Sequence, residues 1–217
     1  MKKNYVKIAV MALVSIFLLT SVPQAVFANK TMQKHLDREF KRKMKEYRKE
    51  GWKLAGSSRS LEVTLLQHYE KLNANPDLLV IEGVATQCRS LGVCSQVALN
   101  DAQNYYARLV SGKIQGAFGT IIRANDNRPQ DEINKMVGGL LNEIEADLSG
   151  ILTPSYSIVR ENGANKSYKT YFFVDTQKVG EMIGATLERS IKETKLTIEE
   201  ARSISRFVQE ELKREQQ

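Results

Sequence analysis

The segment 161–165 constrains the fold of this chain more than any other part of the sequence. It contains Asn162-Gly163 and separates two short runs, 155–160 and 167–174, whose residues suit β-strands. Asn-Gly between two such runs is the strongest local signal for a β-hairpin, because both residues tolerate the positive φ of a tight turn. The sequence therefore predicts two adjacent antiparallel strands in the C-terminal half of the chain.

Helices and one further strand complete the predicted domain. Residues 78–86 form a short apolar run, which is typical of a strand. Apolar residues that recur every three or four positions predict helices over 31–49, 60–73, 93–123, 133–148, 179–191 and 197–212. We expect an α+β fold: a small three-stranded antiparallel sheet with helices packed on one face, preceded by amphipathic helices.

The longest predicted helix carries three glycines, Gly112, Gly116 and Gly119, within its apolar face. Glycine inside a helix costs roughly 1 kcal/mol relative to alanine, so three of them need a structural use. We expect them to let another segment of backbone approach closely, rather than to bind phosphate. Val97 and Tyr105 are among the residues that we expect this helix to bury.

The N-terminus has the organisation of a secretory signal peptide. Three lysines precede an unbroken apolar run over residues 8–19, and Pro23 and a small-residue end at Ala28 follow. The apolar run falls short of the ~20 residues that span a bilayer, which disfavours the alternative of an uncleaved anchor. We predict cleavage between Ala28 and Asn29. No cysteine near the cut could carry a lipid, so we expect a periplasmic or secreted protein.

Removing this leader changes the distribution of charge. We divide the chain into a signal peptide (1–28), a basic amphipathic helix with a linker (29–56) and a single α+β domain (57–217). The full chain has a formal net charge of +7, yet residues 54–217 hold 19 basic and 21 acidic residues. Recognition of nucleic acid needs a basic domain face, so we expect no nucleic-acid partner.

The segment 30–53 is the best candidate for a binding surface. Six basic residues of its helix could meet the headgroups of an anionic membrane or an anionic glycan: Arg38, Lys41, Arg42, Lys45, Arg48 and Lys49. The alternative, which we favour, is a solvated helix whose acidic residues pair with these bases. Trp52 follows directly, and we expect it to pack where the helix meets the domain rather than to bind a ligand.

Two cysteines, Cys88 and Cys94, flank the junction between the strand over 78–86 and the helix that follows. In an oxidising compartment they could form a disulfide that staples this junction. The alternative carries equal weight: two reduced thiols that act as small apolar side chains. Their spacing differs from that of a CxxC redox motif, and a second pair for zinc is missing.

No pattern in the sequence points to catalysis, a cofactor or a metal ion. The histidines, His35 and His68, lie on different predicted helices, and we expect both on the surface. Glu143 and Asp147 stand one helical turn apart, a spacing that is common on solvated helix faces. We therefore expect no enzyme, no cofactor and no metal. The alternative is an enzyme whose dispersed carboxylates or serine the sequence does not reveal.

A resemblance covers residues 78–195. The segment GVATQCRS, the Ala-rich helix VALNDAQNYYARLV and a hairpin that ends in YKTYFFVDTQKVGEMI resemble exported Bacteroidetes proteins of uncharacterised function. More distantly, the chain resembles the family of small envelope lipoproteins typified by the twenty-kilodalton Helicobacter membrane antigen. The resemblance implies an envelope-associated, structural role and no catalytic residues. The acylated cysteine of the lipoproteins is missing here, so their membrane anchoring is not implied.

These features together favour a protein of the cell envelope that is not an enzyme. We expect a structural or protein-interaction module, with other envelope proteins or a second copy of the chain as partners. The signal peptide and an amphipathic helix able to dock on a partner carry this expectation. The alternatives are a peripheral binder of membrane or anionic glycan through residues 30–53 and the enzyme described above.

Overall fold

The computed structural model describes residues 24–125, 150–190 and 196–215, together with residues 131, 134, 137–139, 141 and 142. The apolar run of the predicted signal peptide and the pair Glu143 and Asp147 lie outside the described residues. The helices are α1 (Gln24–Glu50), α2 (Leu61–Ala74), α3 (Leu91–Asn125), α4 (Thr176–Arg189) and α5 (Ile198–Arg214), and the strands are β1 (Lys53–Leu54), β2 (Leu78–Cys88), β3 (Thr153–Asn162) and β4 (Asn165–Asp175).

The predicted hairpin is confirmed. Strands β3 and β4 pair in antiparallel register down to Asn162 opposite Asn165, so only Gly163 and Ala164 form the loop. Gly163 adopts a φ of 64°, a value that glycine reaches without steric cost. The strand that precedes α3 also lies where expected: β2 runs antiparallel beside β4.

The α+β class is correct, but the sheet has four strands instead of the expected three. Its order is β1-β3-β4-β2, and every neighbouring pair is antiparallel. The additional strand, β1, places Lys53 opposite Val159 and Leu54 opposite Ile158. Two residues are too few to show a strand periodicity, so this strand exists only because β3 offers it a free edge.

Helices cover both faces of the sheet, which corrects the expectation that they cover only one. In β4, Phe172 and Val174 join the core formed with α3, α4 and α5. Tyr171 lies on the opposite face, in a core with Met44 and Tyr47 of α1 and Leu65 of α2. A strand that is apolar on both faces needs cover on both, so the run Tyr-Phe-Phe-Val makes β4 the centre of a three-layer arrangement.

The segment 29–56, which the sequence presents as a helix and linker ahead of the domain, contributes to this arrangement directly. Tyr47 has no exposed surface, and Met44 and Trp52 are 7% exposed. Trp52 therefore packs where α1 meets the sheet. Because β1 then joins the sheet, the chain is fixed to β3 directly after it leaves α1.

Close packing of α3 against the sheet occurs at Gly83 of β2 rather than at the glycines of α3. A methyl group added at Gly83 would overlap with the carbonyl oxygen of Ala98 and lie 2.9 Å from the Cβ of Ala102. No described atom lies within 4 Å of a methyl group added at Gly112 or Gly119. At Gly116 the nearest described atom belongs to Phe207, at 3.9 Å. Within the part of the chain that the structure describes, no backbone therefore uses these three glycines for a close approach.

Local capping fixes the starts of the C-terminal helices. The hydroxyl of Thr197 accepts a hydrogen bond from the backbone N–H of Glu200, and the Glu200 carboxylate accepts one from the backbone N–H of Thr197. This is the predicted capping box. At the start of α4, the Asp175 carboxylate accepts hydrogen bonds from the backbone of Gln177 and Lys178. Both helices then pack against each other in the core beneath α3.

Candidate functional site

The six basic residues predicted as a binding surface all lie exposed on α1. At 100° per residue, they and Lys34 occupy a sector of roughly 120° of the helix circumference. The buried residues of α1, Met44 and Tyr47, lie on the other side of the helix. We call this sector the basic face: Lys34, Arg38, Lys41, Arg42, Lys45, Arg48 and Lys49.

Acidic residues lie beside the basic face, on both of its borders. By the same helical geometry, Glu39, Glu46 and Glu50 lie beyond Arg42, on a flank that also carries Lys43, whereas Asp37 borders the other edge of the sector. The flank beyond Arg42 therefore carries both charge types, and their side chains pair: Glu46 lies 3.6 Å from Arg42 and 3.4 Å from Lys43. Pairing of this kind, as the favoured interpretation of the sequence expects, occurs on this flank, whereas the basic face itself contains only cations.

Ion pairs engage two of the six predicted residues. The Nε of Arg42 donates a hydrogen bond of 3.1 Å to Glu39, whose carboxyl pKa is lowered chiefly by that bond. Arg48 lies 2.8 Å from a carboxylate oxygen of Glu62 on α2. Among the described residues, no ion pair involves Arg38, Lys41, Lys45 or Lys49.

A buried hydroxyl cluster fixes the rotation of α1, and hence the direction of its basic face. The hydroxyl of Tyr47 donates to that of Tyr171 at 2.9 Å and lies 3.1 Å from that of Tyr156. Burial raises the pKa of both Tyr156 and Tyr171, so these hydroxyls remain protonated at any physiological pH. Because two strands hold Tyr47, rotating the helix would break these bonds.

The end of α1 is held in the same way. Glu50 accepts a hydrogen bond of 3.0 Å from the indole N–H of Trp52, and it also pairs with Arg160 of β3 at 3.3 Å. The guanidinium of Arg160 lies 4.8 Å from the centre of the Trp52 ring, within the range of a cation–π contact. This arrangement is structural, because it ties the end of α1 and the turn that follows it to β3.

A second surface lies at the other end of the sheet, where β2 forms an edge. No described strand pairs with the outer side of β2. On that side the backbone N–H of Val84 donates to the carboxylate of Asp101 on α3, at 2.9 Å. Asp101 therefore marks the flank of α3 that borders the edge.

Three apolar side chains share this flank of α3 with Asp101. Val93, Val97 and Tyr105 stand at four-residue steps from it, which places them on one side of the helix. They are 56%, 45% and 47% exposed, respectively. The sequence placed Val97, Ala98 and Tyr105 on the apolar stripe of the helix, but of these only Ala98 is buried, and Tyr106 is buried instead of Tyr105. We call this surface, together with the outer side of β2, the β2 edge surface.

His68 is buried, which corrects the expectation of a surface histidine. Its ring stacks on that of Phe173 with the ring centres 4.8 Å apart, and it meets Tyr156 edge to face at 5.0 Å. Its Nδ1 lies 2.7 Å from the hydroxyl oxygen of Ser155. Burial, with repulsion from Lys71 as a smaller contribution, lowers its pKa from 6.5 to about 4. His35 lies exposed on α1, as expected.

The serine that His68 contacts occupies an irregular position in β3. The register between β3 and β4 shifts between Pro154 and Tyr156, so Ser155 has no partner on β4 and is the bulged residue. Bulges often redirect a side chain, and this one directs the Ser155 hydroxyl to the imidazole. A signal for the burial of His68 does exist in the sequence, because it follows Leu61 and Leu65 on one helical face.

This pair lacks the parts of a nucleophilic site. A serine nucleophile needs a base that gains the proton readily and a third group that orients the base. The lowered pKa makes His68 a weak base, and no described carboxylate bonds to its other ring nitrogen. The contact therefore resembles a core hydrogen bond more than a catalytic dyad.

A cavity of about 560 Å³ opens near this cluster, at the end of the sheet where β4 leads into α4. Its lining includes Phe173, Leu78 and Ile151, with Lys71 and Lys178 at its rim. The carboxylate that lines it, from Asp175, already caps α4. Since that carboxylate serves the helix, the cavity gives no indication of a particular ligand.

Cys88 and Cys94 form a disulfide, with their Cα atoms 5.4 Å apart. Of the two alternatives that the sequence left open, the structure thus has the bonded one. Both cysteines are buried and pack with Ala85, Ala98 and Tyr168. The bond ties the end of β2 to the first turns of α3, so it fixes the start of the β2 edge surface.

Other kinds of site are not formed by the part of the chain that the structure describes. Within it, no group of three His, Cys, Asp or Glu side chains could hold a metal ion. None of its helices combines the length and the apolar character needed to span a membrane. No family model, no curated protein and no solved structure matches this chain. The resemblance to envelope proteins therefore stays a prediction.

Proposed function

We propose that this chain is an exported protein of the cell envelope that acts by binding another protein, without catalysis of its own. The observation that carries the proposal is the β2 edge surface. There, Val93, Val97 and Tyr105 lie about half exposed in a row, beside a strand whose outer side has no described partner. Partners in such contacts add a strand to the free edge and cover the apolar side chains beside it.

The distribution of charge supports the same proposal. The β2 edge surface belongs to the part of the chain after residue 53, which holds 19 basic and 21 acidic residues. A nearly neutral, partly apolar surface suits a protein partner, because charged residues are depleted at the centre of protein interfaces. Asp101 protects one N–H of the edge while the partner is absent, as natural edge strands often do.

Site-specific photo-crosslinking tests this proposal. A photoreactive phenylalanine derivative replaces Val97 in one variant and Val63 in a matched control. Val63 is 47% exposed, like Val97, but it lies on α2, in the layer on the opposite face of the sheet. Irradiation of the exported protein in its native envelope should give one discrete adduct from position 97 and none from position 63.

The control variants make the outcome decisive. Adding Val93→Asp to the position-97 variant should abolish the adduct, because a charge would then enter the apolar contact. Light scattering after size exclusion tells whether the adduct contains a second copy of the chain or a different protein. Equal crosslinking from both positions, or an adduct that tolerates Val93→Asp, would contradict the proposed surface.

A further inference from the structure

We infer that the basic face of α1 docks this protein on a membrane leaflet rich in anionic phospholipid, with the helix lying along the surface. This surface is separate from the β2 edge surface and does not depend on it. The two lie on different sides of the sheet, since α1 packs on the face opposite to α3. A docked protein would thus keep its protein-binding edge accessible.

The shape of the basic face matches a flat partner. From Lys34 to Lys49 the helix rises roughly 22 Å at 1.5 Å per residue, and all its cations except Lys43 lie within about a third of the circumference. The long side chains can all reach one plane, whereas a small anion would meet only two or three of them. The small groove beside α1 is lined by Leu36, Phe40 and residues of α2, and none of these cations lines it.

The packing of α1 favours lipid headgroups over nucleic acid or glycan. The aromatic residues of its described part, Phe40 and Tyr47, face the interior, so the basic face offers no ring on which a base could stack. Electrostatic attraction to an anionic leaflet needs only exposed cations that are held at one orientation. Tyr47 and Met44 hold that orientation because the core buries both of them.

Vesicle co-sedimentation of the protein purified after export tests the inference. The substitutions Lys41→Gln, Lys45→Gln and Lys49→Gln together remove three cations from the middle of the face. The matched control carries Arg108→Gln, Lys178→Gln and Arg206→Gln, which remove three exposed cations from α3, α4 and α5. Both variants change the net charge equally, and thermal unfolding shows whether each keeps the native fold.

The expected results distinguish binding through the basic face from attraction that depends only on net charge. The protein should bind vesicles of phosphatidylcholine with phosphatidylglycerol and release them at high salt, but not bind phosphatidylcholine alone. At about 1 kcal/mol for each cation, the α1 variant should lose about a hundredfold in partition coefficient. The control variant should lose only a few-fold.

Three results would overturn the inference. One is an equal loss of vesicle binding in both variants, which would show that binding depends on net charge alone. Another is undiminished binding to phosphatidylcholine alone. The third is tight binding to a soluble polyanion such as heparin without any preference for phosphatidylglycerol, which would assign the face to an anionic polymer.

Discussion

The imidazole of His68 bonds through Nδ1 to the hydroxyl of Ser155 at 2.7 Å, across 87 positions of sequence. This bond joins α2 to the bulge of β3 within a wall of rings. Phe173 stacks on one side of the imidazole, and Tyr69 and Tyr156 meet it edge to face. The neutral form of the ring fits this environment, whereas the cation would be buried beside Lys71 without a described carboxylate partner.

The stability of the protein should therefore fall as the pH falls through the range below neutrality. The folded-state pKa of His68, about 4, lies below the ordinary value of 6.5, so the unfolded chain takes up the proton more readily. The contribution of His68 is complete above about pH 6.5 and is lost progressively down to about pH 4. A pKa difference of this size corresponds to roughly 3 kcal/mol in the free energy of unfolding.

Urea unfolding over this range of pH measures the effect in matched variants. His68→Phe keeps the stacked ring but cannot titrate. Between about pH 6.5 and pH 4, its free energy of unfolding should therefore fall by roughly 3 kcal/mol less than that of the wild type. His35→Gln removes the exposed histidine and should leave the wild-type dependence unchanged. Burial raises the pKa of Tyr69, Tyr156 and Tyr171, so these neighbours stay protonated throughout. An unchanged slope in His68→Phe would contradict the assignment.

Two buried tyrosines should respond oppositely to removal of the hydroxyl group. Tyr47→Phe deprives Tyr156 and Tyr171 of a partner and should lower the free energy of unfolding by about 1–3 kcal/mol. Tyr106 is equally buried, but its hydroxyl has no hydrogen-bond partner among the described residues. Tyr106→Phe should therefore have no effect or should stabilise. Urea unfolding of both variants at neutral pH measures the two effects. An equal loss in the free energy of unfolding would contradict the prediction.

Signals confined to a few neighbouring residues predicted their structures correctly. Asn162-Gly163 predicted the hairpin, and Thr197 with Glu200 predicted the capping box, because each motif satisfies its own backbone groups locally. Features that depend on tertiary contacts were missed. Strand β1 exists only beside β3, and His68 is buried only because β3 and β4 supply the surrounding rings.

The same distinction between local signals and tertiary contacts applies to the candidate sites. The basic face follows from helical spacing, so Lys41, Lys45 and Lys49 could be identified from sequence and are exposed as expected. The β2 edge surface could not be identified from sequence, because the position of α3 across the sheet decides which apolar residues are buried. Val97 and Ala98 are neighbours in sequence, yet the side chain that meets the sheet is that of Ala98.

Replacement by alanine should change stability in opposite directions at Gly83 of β2 and at Gly112 of α3. Gly83→Ala would force a methyl group against the backbone of Ala98, so α3 must move away from β2. We expect the free energy of unfolding to fall by roughly 3 kcal/mol, as for severe overpacking in a core. Gly112→Ala adds a methyl group with no described atom within 4 Å, and it should stabilise α3 by about 1 kcal/mol. Thermal unfolding of the two variants measures both changes, and a stable Gly83→Ala protein would refute the close approach.

The disulfide should contribute modestly to stability, because it closes a short loop. Cys88 and Cys94 are six positions apart, and the entropy removed from the unfolded chain by such a loop corresponds to about 2 kcal/mol. A reductant should lower the free energy of unfolding of the wild type by this amount. It should leave the double variant Cys88→Ala, Cys94→Ala unchanged, since that protein has no bond to lose.

Alkylation provides the independent check on the same bond. In protein denatured without reductant, neither cysteine should react with a thiol reagent, and both should react after reduction. Labelling of both cysteines without reductant would show that the bond does not form. Val93 directly precedes Cys94, so loss of the bond should also loosen the first turns of α3 and weaken the crosslink from position 97. That coupling would link the redox state of this junction to the surface proposed for protein binding.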